Sequence, residues 1–180
     1  MPLLAAAALL AGCGGGAKYP HGKPVAGDAV VATSEGSFTI GLDAKDSPNT
    51  VGSFEQLARK GFFDGTIFHR IVPGFVIQGG DPTGTGQGGP GYSTVDKPPS
   101  NAKYTTGVVA MAKAPTEPAG TSGSQFFVVT GADAGLPPDY AVLGEVVAGA
   151  PVVRRIGQFG DVNEQPTATV EIEHATVGVR

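Results

Sequence analysis

The stretch Phe68-His69-Arg70-Ile71-Val72-Pro73-Gly74-Phe75-Val76-Ile77-Gln78-Gly79-Gly80-Asp81 decides how this chain is read. It spans two short, apolar, β-rich runs, 66–72 and 74–78, in the manner of strands rather than helices. Strand alternation sends neighbours to opposite faces, so His69 turns away from whatever Arg70 faces. His69 is therefore expected to be a structural, hydrogen-bonded residue.

Outward from this segment the short runs continue. Residues 28–33 and 37–42 read as two strands around a turn at Ser34-Glu35-Gly36, with Phe38, Ile40 and Leu42 alternating with small or polar residues. A helix follows. Ser47 suits the N-cap and Pro48 the first helical position, where a missing N–H costs nothing. Val51, Phe54, Leu57 and Ala58 fall on one face, Glu55 and Arg59 form an i,i+4 pair, and Gly61 ends the helix. Segments 107–112, 125–129 and 141–147 are further strands, 150–156 is a short helix, and 167–177 closes the chain as a strand. Eight or so strands with two helices predict a mainly β domain over 28–180, either a closed barrel or a sandwich.

Composition agrees. Gly 29 and Pro 15 make up about a quarter of the 180 residues, which leaves little room for long helices. Charged residues are 16% and the formal net charge is −4. These values exclude a basic nucleic-acid binder, a coiled coil and a polytopic membrane protein.

Residues 1–12 carry no charge and are almost entirely Leu and Ala. The run is shorter than the ~20 residues that span a bilayer and suits the apolar core of a signal peptide. Leu10-Ala11-Gly12-Cys13, followed by Gly14-Gly15-Gly16, resembles the lipobox of bacterial lipoproteins. That resemblance implies cleavage before Cys13 and a lipid on its thiol, although no Lys or Arg precedes the apolar run. Residues 13–27 then read as the anchor and a flexible tether. Cys13 is the only cysteine, so the chain forms no internal disulfide.

The central stretch, together with 107–112, Gly123-Ser124-Gln125-Phe126-Phe127 and Leu136-Pro137-Pro138-Asp139-Tyr140-Ala141-Val142-Leu143-Gly144-Glu145-Val146, resembles the cyclophilin-type peptidyl-prolyl isomerases, in particular their bacterial branch. Counting 107–112 and 123–127 as one, three blocks in the right order make a specific signal. The resemblance runs over about 29–177. It implies a closed eight-stranded antiparallel barrel capped by two helices, acting on proline-containing polypeptides without a cofactor, metal or nucleic acid.

The chemistry asks for little. Rotation about an X–Pro bond crosses a barrier of ~18–20 kcal/mol because amide resonance is lost. A catalyst has to bind the twisted amide better than either planar form. Twisting returns the lone pair to the proline nitrogen, which a fixed cationic donor can then engage. Arg70 suits that role, being permanently charged and rigid. By the resemblance, Phe75 and Gln78 complete the catalytic group, with Phe75, Phe127 and Leu136 holding the proline ring and Val76 at the pocket rim. Ala112 and Lys113 match a segment whose backbone pairs with an extended peptide, and Gln125 and Tyr140 match further walls. Without the resemblance, Phe75, Val76 and Phe127 would read as ordinary core.

Three departures stand out. Lys113 replaces the Asn common in the family, 114–122 diverges, and Gly135 stands where cyclosporin-sensitive members carry Trp. The last implies weak cyclosporin binding with activity retained, because an indole's area and N–H donor are gone.

Competing motifs fail on context. Gly84-Thr85-Gly86-Gln87-Gly88-Gly89 fits G-x-G-x-x-G, but Pro90-Gly91 follows and no helix opens, so 82–92 reads as a loop flanking the groove. His21, His69 and His174 lack metal-ligand spacing. The expectation is a monomeric isomerase, lipid-anchored on the extracytoplasmic face of a bacterial membrane and assisting folding there. The alternative is a non-catalytic peptide-binding or chaperone lipoprotein with the same fold. A nucleotide binder rests on the Gly-rich loop alone.

Overall fold

The computed structural model describes residues 27–179. The signal-peptide, Cys13 and tether expectations lie outside the described residues, apart from Gly27. The strands are β1 (Gly27–Thr33), β2 (Gly36–Leu42), β3 (Thr66–Ile67), β4 (Arg70–Val72), β5 (Val76–Gly79), β6 (Thr94–Val95), β7 (Val108–Met111), β8 (Thr121–Ser122), β9 (Phe126–Val129), β10 (Val142–Ala148) and β11 (Glu171–Val179). Two helices, α1 (Pro48–Arg59) and α2 (Ala150–Ile156), complete it.

Nine strands form one antiparallel sheet in the order β3-β11-β1-β2-β10-β7-β9-β5-β4, and β6 pairs with β8 in a second small sheet. The large sheet is strongly curled but open, which corrects the expectation of a closed eight-stranded barrel. The physical reason lies at its edges. β3 and β4 are separated by only Phe68 and His69, which form no turn, so the two run on end to end instead of folding back to pair, and a single bridge, Ile67 to Asp81, spans the seam.

Alternation along β5, β7 and β9 builds two apolar layers. Ile77, Val109, Met111, Phe126 and Val128 join Phe54, Phe63 and Phe68 in the main core, and Val76, Val108, Ala110, Phe127 and Val129 form a second cluster on the opposite face. All four residues of each of these strands are buried. Phe54 stacks on Phe63 at 4.8 Å, and Phe126 meets Phe54, Phe63 and Phe68 edge-on. Each buried ring contributes roughly 1.5–3 kcal/mol by leaving water.

Helix α1 buries Val51, Phe54, Leu57 and Ala58 as its periodicity predicts, and Glu55 meets Arg59 at 3.4 Å. Ser47 takes the N-cap position and Pro48 the first turn as expected, with one difference. The Ser47 side chain makes no capping bond. Instead Asp96 arrives from beyond β6, accepts the Thr50 N–H at 2.6 Å and the Asn49 amide at 2.8 Å, and puts a carboxylate on the helix N-terminus.

Candidate active site

One row of residues crosses four strand pairings. Arg70 on β4 lies opposite Gln78 on β5, Gln78 opposite Phe127 on β9, Phe127 opposite Ala110 on β7, and Ala110 opposite Val142 on β10. Strand pleating puts all five side chains on the face of the second apolar cluster. Phe75, Leu136 and Tyr140 pack against that cluster while keeping part of their surface open. Phe127 lies edge-on to Tyr140, with centroids 5.6 Å apart. Arg70, Gln78 and Phe127 on the strands, Phe75 just before β5, Ala112 just after β7, and Leu136 and Tyr140 ahead of β10 therefore gather at one face. Val76 is there too, but fully buried in the floor rather than at the rim.

Polar groups run along one side of this floor. Arg70 Nη1 lies 3.4 Å from Gln78 Oε1, and Gln78 donates to Gln125 Oε1 at 3.0 Å. Gln125 in turn donates to the Gly88 carbonyl at 2.9 Å. Gln78 and Gln125 are both buried, so each amide is held in one orientation by its neighbour. Arg70 Nε donates to Glu164 at 2.7 Å, a charge-assisted bond from a loop that the sequence reading did not flag. Arg70 Nη2 is shielded from water and has no hydrogen-bond partner among the described residues. A cationic donor left over in this way calls for an explanation.

On the other side, the Ala112 N–H is already bonded to the Gln125 carbonyl at 2.9 Å. The Lys113 side chain folds back, donating to the carbonyls of Glu117 and Ala114, with its ammonium 5.6 Å from the Tyr140 ring centre. Tyr140 is fixed from behind by Tyr104, another residue without a sequence signal. The Tyr104 hydroxyl donates to the Tyr140 carbonyl and accepts its N–H. Burial pushes the Tyr104 phenol up to about 12, so it remains a donor at any working pH.

The Gly-rich loop has a plain role. Asp81 is fully buried and accepts the backbone N–H groups of Thr83, Thr85, Gly86 and Gly88, plus the Thr83 hydroxyl. These amides could have cradled a phosphate, and an internal carboxylate already occupies them. A side chain at position 88 would overlap Asp81 Oδ1, which is why glycine stands there. Among the described residues, no group of three or more His, Cys, Asp or Glu is placed to hold a metal ion.

His69 departs from expectation in one respect. It lies below the loop, with Gly86 against its ring, and among the described residues neither ring nitrogen makes a hydrogen bond of good geometry. Burial lowers its pKa; the Asp81 charge opposes this, the Arg70 charge adds to it, and weak polar contacts with the Ile67 backbone and the Gln125 side chain offset a little more. The unfolded chain takes up a proton near the ordinary value of 6.5, and the fold refuses it until lower pH. Stability is then expected to fall as pH drops below about 6.5. Denaturant midpoints between pH 7.5 and 5.5 test this, and a drop of the same size in His69→Gln would remove His69 as its source.

The comparisons with known proteins bear on the family and the fold. The model of the family described as cyclophilin type peptidyl-prolyl cis-trans isomerase/CLD matches residues 29–177. Peptidyl-prolyl cis-trans isomerase-like 1 of Neurospora crassa is 39% identical over 158 residues, covering 85% of this chain and 95% of the relative. Peptidyl-prolyl cis-trans isomerase A of Mycobacterium tuberculosis is 37% identical over 168 residues, covering 83% and 91%. A crystal structure of a Cryptosporidium parvum cyclophilin-type isomerase, obtained in the presence of the dipeptide Ala-Pro, superposes with a TM-score of 0.78 at 30% identity, covering 85% of this chain and 99% of that one. The chain belongs to the cyclophilin-type peptidyl-prolyl cis-trans isomerases. It is an enzyme of that class, and its relatives come from fungi, plants and mycobacteria alike.

Proposed function

We propose that this isomerase works on X–Pro bonds of unfolded or extended polypeptides, with Arg70 as the donor to the twisted amide. The observation that carries the reading is the buried, unpartnered Nη2 of Arg70 beside an apolar floor. Phe75, Phe127 and Leu136 take the proline ring, with Val76 beneath it. Gln78 and Gln125 orient the guanidinium and meet the peptide. Ala112 and Lys113 offer main chain to an extended strand, and Tyr140 closes the wall. As the carbonyl before proline swings out of plane, the nitrogen becomes basic and Nη2 donates to it. That bond is stronger in the twisted state than in either planar one, so it lowers the barrier without favouring cis or trans. A non-catalytic peptide binder would need the apolar floor but not this donor.

The location follows from the sequence. The lipobox-like Leu10-Ala11-Gly12-Cys13 supports a bacterial lipoprotein, held by its Cys13 lipid on the extracytoplasmic face of the membrane and assisting folding there as a monomer. Cyclosporin is held weakly, since Gly135 offers neither the indole area nor its N–H donor.

The test is cis/trans exchange in a proline peptide followed by NMR with catalytic amounts of the chain. The expected outcome is accelerated exchange that survives nanomolar cyclosporin. No acceleration by the folded chain across several residues before proline moves the function to peptide binding. In bacterial cells, Cys13→Ser is expected to shift the protein out of the membrane fraction, and unchanged fractionation would reject the anchor.

A further inference from the structure

We propose that Glu164 is a positioning residue for the isomerisation, its carboxylate fixing the plane of the Arg70 guanidinium so that one corner of the fork stays turned to the substrate. The inference rests on the role given above to Arg70.

The guanidinium is flat and rigid, so holding two corners fixes the third. One corner, Nε, donates to Glu164 Oε2 at 2.7 Å. The second, Nη1, reaches Gln78 Oε1 at 3.4 Å. The bond to Gln78 is long and neutral at its acceptor, whereas that to Glu164 is short and charged at both ends. Most of the restraint therefore comes from Glu164. The pair is partly sheltered, with the arginine side chain 11% and the glutamate side chain 30% exposed.

The backbone beneath Glu164 points the same way. Glu164 is the one residue other than glycine with a positive φ, +66°, among the described residues. A turn that needs only this backbone shape is served best by glycine, which adopts it without strain. The loop holds a glutamate there instead. Asp161 Oδ1 accepts the N–H groups of Asn163 and Gln165, and Glu164 N–H donates to the Asp161 carbonyl. The Glu164 carbonyl then accepts the Ile71 N–H at 3.3 Å, pinning it beside the residue that follows Arg70. Strain of this kind, held by surrounding bonds next to a reacting group, marks a functional constraint. What the strained position delivers is the carboxylate at Nε.

The carboxylate also offsets part of the arginine's charge. If charge alone mattered, removing Glu164 would speed the reaction. If orientation matters, removal slows it, and the two effects have opposite signs.

The decisive variant is Glu164→Gly in the full chain, because glycine relieves the backbone while deleting the carboxylate. It is expected to unfold at the same or a higher denaturant concentration than the native protein. Its kcat on an X–Pro peptide is expected to fall about tenfold with KM within about twofold, the pattern of a misplaced group rather than a lost binding contact. Glu164→Gln keeps an acceptor without the charge and should fall between. The Arg70 Nε–H NMR signal should exchange with water faster in both variants. Native or raised kcat in folded Glu164→Gly overturns the inference while a crippled Arg70→Ala still upholds the role of Arg70. Full activity in Arg70→Ala overturns both.

Discussion

Arg70→Ala is expected to lower kcat/KM for an X–Pro peptide by about 100- to 1000-fold, the usual cost of one preorganised donor at a developing charge. The change removes the group that meets the proline nitrogen in the twisted state while leaving the apolar floor untouched, so KM should move little and kcat should carry the loss. The fold should survive. Arg70 sits on the edge strand β4, its side chain keeps some contact with solvent, and the Glu164 carboxylate it leaves behind is exposed enough to hydrate. Arg70→Lys should recover only part of the activity. A lysine presents a point charge, and it cannot hold Glu164 and Gln78 in a planar fork while keeping a third donor free. Exchange NMR at matched concentrations of folded protein reads both variants. An Arg70→Ala enzyme within threefold of native would remove arginine from the mechanism.

The site on the short strands β4, β5 and β9 was legible only through the ordered motif blocks, whereas the core was legible through local periodicity. The alternation of Phe38, Ile40 and Leu42, and the helical spacing of Val51, Phe54 and Leu57, are local signals that burial then rewards. What stayed hidden is what the chain brings together from afar. Glu164 lies 94 residues from the arginine it pairs with, and Asp96 lies 46 residues from the Thr50 N–H it caps. Ser47 had the right chemistry and place for that cap, and the more distant carboxylate won. Alternation also cannot tell a closed barrel from a curled open sheet, because both bury every second residue. What leaves the sheet open is the absence of a turn at Phe68-His69, where β3 runs on into β4 without folding back. Val76 shows the same limit, since a valine at a groove floor and one at its rim read alike. The two-residue strands β3, β6 and β8 are too short for an alternation to show.

Asp81→Asn is expected to cost about 3 kcal/mol of stability at pH 7, since several buried N–H groups would face an amide that offers one acceptor oxygen in place of two. For a domain of this size that corresponds to roughly 6–12 °C in melting temperature. Burial by itself pushes the Asp81 pKa up. The bonds from Thr83, Gly88 and Gly86 outweigh that penalty and hold it below the ordinary value of 3.8. The sign of the pH effect follows. A depressed carboxylate contributes stability above its unfolded pKa and loses it as pH falls through the folded one. The gap between native and variant should therefore be full at neutral pH and shrink below about pH 3.8, as the native carboxyl also becomes protonated. The same change should reach the chemistry. Asp81 holds Gly88, the Gly88 carbonyl holds Gln125, Gln125 holds Gln78, and Gln78 touches Arg70. Loosening the loop frees Gln125 to turn its amide, and the guanidinium loses one of its two anchors. A several-fold fall in kcat at temperatures where the variant is fully folded is the expected signature, in line with the cost of slightly misplaced catalytic groups. An unchanged denaturation midpoint at pH 7 would mean that water replaces the carboxylate without loss, and the loop would then be shaped by its glycines alone.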